Sequence, residues 1–212
     1  SMRLRLIPVP PELHEEVACS WVLEGPAPLD RRPPDERLLP CAWPDIIINL
    51  GDPILCSTEP GRWRVRPDAW YEGLFSSYFL LRPTGRLRLV GIRFYPGRSG
   101  RFIAEPQNHL AGGFVPLDEL FGRAGRDLEA DVRGAACPPQ AVTRLQDFLV
   151  LGEDLDHAAR TDRAGDVDRQ ALAGELIDDG EALDLLAARA GVEHEVVGPN
   201  VIGPERGQRP RP

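Results

Sequence analysis

Arg86-Leu87-Arg88-Leu89-Val90-Gly91-Ile92-Arg93-Phe94-Tyr95 is the stretch on which the fold turns. Leu87, Leu89 and Gly91 alternate with Arg88, Val90, Ile92 and Phe94, so both faces of an extended chain are largely apolar here. A strand wet on one face would carry a polar side chain at every second position. This one belongs inside a sandwich or barrel. Just before it, Arg82-Pro83-Thr84-Gly85 reads as a hairpin turn from the apolar run 71–81. Farther out, the stretches 3–9, 18–23, 45–50 and 62–66 are short β-prone runs parted by Pro-Pro, Gly-Asp-Pro and Pro-Gly. Six such runs predict a small β-barrel or sandwich over residues 1–105.

Beyond Glu105 the period changes. Pro116-Leu117-Asp118-Glu119-Leu120-Phe121-Gly122 reads as a short helix with acids in its first turn and a glycine stop. Residues 138–157 place Ala141, Leu145, Phe148 and Leu149 at helical spacing behind Pro138-Pro139. Further helices are expected over 167–179 and 181–190, and a Pro/Gly/Arg tail over 198–212. The fold class is therefore α+β, with a β body over 1–105 and a helical linker over 106–162. A helix pair over 163–197 follows.

Composition narrows the function. The 212 residues carry 25 Lys+Arg, all arginine, against 33 Asp+Glu, a net charge of −8. A chain so acidic is not, as a whole, an electrostatic ligand for nucleic acid. No apolar run approaches the roughly 18 to 20 residues that span a bilayer, and no signal peptide opens the chain, so the expected compartment is the cytoplasm. Ser1 before Met2 reads as the scar of an expression tag. Cys19, Cys41, Cys56 and Cys137 lack paired spacing and are expected to be buried small hydrophobes. His14, His109, His157 and His194 stand alone, and the expected strands contain no histidine. No nucleophile elbow, Walker loop or dinucleotide fingerprint is present. No catalytic residue, metal or cofactor is expected.

Binding is the remaining chemistry. Trp43, Trp70, Tyr78 and Phe94 come from different runs, and closing a barrel could gather them around a small apolar or planar ligand. Each could equally be core filling. Arg93, between Ile92 and Phe94, requires an acid or a ligand carboxylate as partner. The stripe of Leu145, Phe148 and Leu149 is expected either to form a homodimer or to pack on its own β body.

Longer blocks resemble a known family. Leu38-Leu39-Pro40, the run Asp45-Ile46-Ile47-Ile48-Asn49-Leu50-Gly51-Asp52-Pro53, the stretch 79–85 with Gly73 before it, and the stretches 90–97 and 115–122 resemble the sensor domains of AraC-type bacterial transcriptional regulators. The resemblance spans about residues 10–190. It implies a cupin-like barrel without catalytic metal that binds a small-molecule effector, a helical dimerisation segment, and a DNA-binding part. The string from Leu186 to Val192 resembles the first helix and turn of a helix-turn-helix. The recognition helix should follow, but Glu193-His194-Glu195-Val196-Val197-Gly198-Pro199-Asn200 has no basic residue and a Gly-Pro breaker. DNA binding is thus expected only through a complete helix-turn-helix that this chain lacks. The alternatives are a stand-alone small-molecule-binding or scaffolding barrel, and a cupin-type enzyme.

Overall fold

The computed structural model describes residues 2–26, 35–59 and 61–160. The expected helix-turn-helix remnant over 163–197 and the tail over 198–212 lie outside the described residues. Two antiparallel sheets make up the β body. The larger runs in the order β1 (Arg3–Ile7), β2 (Val17–Glu24), β9 (Arg88–Phe94), β4 (Asp45–Asn49), β7 (Ala69–Glu72) and β10 (Phe114–Pro116). The smaller runs β3 (Glu36–Leu38), β8 (Phe79–Pro83), β5 (Ile54–Glu59) and β6 (Arg62–Val65). The sheets are separate, so the body is an open sandwich and not a closed barrel. It extends to Pro116, past the boundary at 105 that the sequence suggested.

The central strand β9 shows why both of its faces are apolar. Leu89 packs inward with Leu81 and Ile54 of the smaller sheet. Val90, Ile92 and Phe94 point the other way and are buried with Ala141, Val142, Leu145 and Leu149. Those four belong to α3 (Pro138–Arg160), which lies across the outer face of the larger sheet. Gln146 in the same helix donates to the carbonyl of Pro8 at 2.8 Å and to the Ser20 hydroxyl at 2.9 Å, fixing the helix to β2. Of the two roles expected for the stripe, packing on its own β body is the one seen in the single chain. Leu145 and Leu149 are buried in their own chain, and half-buried Phe148 packs edge-on against Phe121 with ring centres 5.4 Å apart. A sheet face this apolar has to be covered, and α3 covers it.

Two short helices lead into α3. The first, α1 (Leu117–Phe121), ends at Gly122, whose φ of 58° is a left-handed value that favours glycine. The second, α2 (Arg123–Arg133), buries Leu128 and Val132, one turn apart. It approaches α1 so closely that a Cβ on Gly125 would sit 2.2 Å from the Leu117 carbonyl oxygen.

The turns do different work from what the sequence suggested. The segment 82–86 is not a hairpin, because β8 and β9 lie in opposite sheets. It carries the chain across the rim of the sandwich, as Asn49–Pro53 does between β4 and β5. The two crossings are tied together. The Asp52 N–H donates to the Arg86 carbonyl at 2.9 Å, the Arg86 N–H donates to the Asp52 carboxylate at 2.5 Å, and the Thr84 hydroxyl donates to the Pro53 carbonyl at 2.7 Å. Asn49 shapes its own turn by accepting from the Gly51 N–H and donating to the Asp52 carbonyl. The run 71–81 likewise breaks at Gly73, where the chain leaves the larger sheet for β8.

Candidate functional site

Register brings the inward side chains of the larger sheet into rows. In one row Cys19 pairs with Arg93, Arg93 with Asp45, Asp45 with Glu72, and Glu72 with Phe114. In the next, Trp21 pairs with Gly91, Gly91 with Ile47, and Ile47 with Trp70. Gly91 makes this aromatic row possible. A Cβ there would lie 2.4 Å from the Trp21 ring, so the indole rests where a side chain would otherwise stand.

Charge in the first row is matched locally. Arg93 grips Asp45 with two parallel bonds, Nε to Oδ1 at 2.9 Å and Nη2 to Oδ2 at 2.7 Å, with both side chains 1% exposed. Burial works against the charge on Arg93, but the adjoining Asp45 outweighs it, and the guanidinium pKa is raised. Arg66, at the end of β6, reaches over to Glu72 at 2.6 Å, and this pair is equally buried. Its guanidinium lies 4.5 Å from the Trp70 ring centre and 4.4 Å from that of Phe114. Trp70 Nε1 also donates to Glu72, at 3.3 Å.

Between the sheets these rows border a cavity of about 80 Å³. Its walls are mostly apolar: Leu4, Leu23 and Leu89 from the larger sheet, Leu38, Ile54 and Leu81 from the smaller. Trp21, Trp70 and the two ion pairs supply the rest of its chemistry. Three buried donors on lining side chains have no hydrogen-bond partner among the described residues: Trp21 Nε1, Arg66 Nε and Arg93 Nη1. A buried unpaired donor costs about 1–3 kcal/mol.

Of the five residues expected to bind a ligand, Trp70 and Arg93 line this cavity and Trp43, Tyr78 and Phe94 do not. Phe94 follows Arg93, and neighbours on a strand face opposite ways, so it packs outward with its ring centre 5.7 Å from that of Phe102. Trp43 precedes β4 and is buried in a small separate cluster with Cys41 and Tyr95. Tyr78, between β7 and β8, is exposed beneath the Arg37 guanidinium. Trp21 and Arg66, which also line the cavity, were not among the residues expected to bind. Arg66 closes a run that also holds Arg62 and Arg64, both exposed, so the local sequence did not single it out. The partner that Arg93 requires is Asp45.

Other reactive groups lie apart from the cavity or stand singly. Tyr71 faces outward, accepts from or donates to Ser99 at 3.0 Å and donates to Gln107 at 2.7 Å. Burial, opposed by the Ser99 hydrogen bond and reinforced by Asp45, pushes its pKa up to about 12. Cys19, Cys41 and Cys56 are buried, but Cys137, expected to be, is exposed. Burial raises the Cys56 pKa against the opposing pull of Arg66 and Arg64. Among the described residues no group of three or more His, Cys, Asp or Glu side chains is placed to hold a metal ion. No helix among them is long and apolar enough to cross a membrane.

Fold and site together define a two-sheet antiparallel sandwich with a charged, aromatic cavity between its sheets and a helical cover outside. The chain belongs to the family described as a domain of unknown function, DUF6597, whose model matches residues 5–116, the extent of the two sheets from within β1 to the end of β10. No curated protein matches it. Among solved structures, native PhpD with cadmium atoms is similar at 17% identity and a TM-score of 0.29, over 82% of this chain and 43% of that one. PhpD with cadmium and hydroethylphosphonate is similar at 16% identity and a TM-score of 0.27, over 82% and 43%. A mutant of hydroxyethylphosphonate dioxygenase is similar at 17% identity and a TM-score of 0.28, over 82% and 42%. This chain thus spans less than half the length of those chains.

Proposed function

We propose that this chain is a small-molecule sensor domain of the kind found in AraC-type transcription regulators, with the ligand held between the two sheets of a cupin-like sandwich. The observation that carries the reading is the cavity. It joins apolar walls, two indoles and buried donors without partners, and such a mixture suits a small ligand better than a packed core does. The sequence blocks from Leu38 to Gly122 support the kinship with regulators. Effector binding, not DNA binding, is the activity assigned to this chain. Residues 151–197 carry 4 Arg against 13 acidic residues, a net of −9, which opposes approach to a polyanion.

The test is a thermal-shift screen of small apolar compounds on the full chain, run in parallel on Leu89→Phe, which pushes a ring into the cavity. Compounds that raise the Tm of the wild type and not of the variant support the reading. A hit set indifferent to the substitution overturns it. Anisotropy titration of the chain with duplex DNA at about 0.15 M salt is expected to show no sequence-specific binding. A stand-alone binding protein would use the same cavity. A reporter fused to the promoter of the chain's own gene separates the two, since only a regulator's promoter responds to the hits.

A further inference from the structure

Two facts about the cavity restrict what enters it. Its unpartnered groups are all donors, so a complementary ligand brings acceptors. Its charges are already paired, Arg93 with Asp45 and Arg66 with Glu72, so the lining is neutral as a whole. An anionic ligand would bury a negative charge that no free cation of the lining balances, and that penalty is large in a low-dielectric site. A neutral carbonyl oxygen satisfies the same N–H groups and loses only its own hydration. The indoles of Trp21 and Trp70 add flat apolar walls on which a ring can lie.

We propose that the cavity selects small, neutral, planar molecules bearing carbonyl-type acceptors (lactones, ketones or quinones), which accept from Trp21 Nε1 and from the spare guanidinium N–H groups of Arg93 and Arg66. The inference deepens the sensor reading and rests on it. Trp21 and Arg93 are diagonal neighbours on one sheet face, since Cys19 pairs with Arg93 and Trp21 with Gly91. Side chains so placed can converge on one acceptor. Arg66 comes from the opposite sheet, just past β6, and meets Glu72 on β7, two strands from β9; it serves a second acceptor at the far end of the ligand.

Three single-ring probes of similar size, matched to a cavity of about 80 Å³, test this by calorimetric titration of the full chain: 2-pyrone, a neutral lactone; benzene, with no acceptor; and 2-furoate, an anion. The lactone is expected to bind at least about fivefold more tightly than either of the others, the value of one net hydrogen bond. Trp21→Phe keeps a ring in place and removes the N–H. It is expected to weaken 2-pyrone about three- to tenfold and leave benzene unchanged. Leu89→Phe is expected to abolish all binding, which places it in the cavity. Equal affinity for 2-pyrone and benzene, with both lost in Leu89→Phe, overturns the acceptor rule and leaves the sensor site standing. Tightest binding of 2-furoate overturns neutrality in favour of an anion. No binding by any probe overturns both the selectivity and the site.

Discussion

Tyr71 shows how one buried hydroxyl becomes a pH-dependent contribution to stability. Its pKa is higher in the folded chain, about 12, than the ordinary tyrosine value of 10.0. The unfolded chain therefore releases this proton first as pH rises, and stability falls across the window from pH 10 to pH 12. Two units correspond to about 3 kcal/mol at most. Tyr71→Phe is expected to cost about 1–2 kcal/mol at pH 7, through its lost hydrogen bonds, and to flatten the dependence between pH 10 and pH 12. Urea denaturation of both proteins at pH 8, 10 and 12 checks it. A variant whose stability still falls as steeply as the wild type's would show that the alkaline loss comes from elsewhere.

At the scale of elements, α3 is the helix on which the sheet's outer face depends. Leu145→Ala is expected to destabilise the chain by about 2–5 kcal/mol, the range for emptying a buried leucine site. Its sedimentation coefficient should match the wild type's, because the side chain serves its own sheet. A shift in oligomeric state with little loss of stability would return Leu145 to an interface. The helix was legible in the sequence because its apolar spacing is strong. By contrast α2 was not, since only Leu128 and Val132 mark its stripe among charged residues and glycines. Alternation and turn residues revealed β1, β2, β4, β6 and β9. They missed β5, whose run from Ile54 to Glu59 changes from apolar to polar midway, and β3 and β10, which are three residues each. The site was half legible. An arginine between apolar neighbours on a strand announces a buried partner, and Arg93 has one. Which aromatics join it depends on strand order and register, long-range facts that no local pattern carries. For that reason Phe94 looked as eligible as Trp70, and Trp21 no more so than Trp43.

For the whole molecule, burial sorts four thiols into two classes. Cys19, Cys41 and Cys56 lie inside the sandwich or its flanking cluster, and Cys137 lies outside, just before α3. A disulfide reagent added to the native chain is expected to titrate one thiol quickly and all four only after denaturation. Cys137→Ser should abolish the fast phase. Two or more fast thiols in the wild type would mean that the sheets part on the timescale of the reaction. Cys19 and Cys56 are buried with the side chains that line the cavity, so their reaction also reports on it. Saturation with a compound that fills it should slow them further.

The grip of Arg93 on Asp45 also constrains how sequences of this kind can drift. Removing either partner alone strands a buried charge, at a cost of about 3–5 kcal/mol that a marginally stable domain can seldom survive, whereas exchanging both for apolar residues can be nearly neutral. Mutational steps between those two states pass through a valley. Descendants of this chain should therefore keep the arginine and the aspartate together or lose them together, with Arg66 and Glu72 behaving as a second such unit. Two positions 48 residues apart then inherit as if they were one.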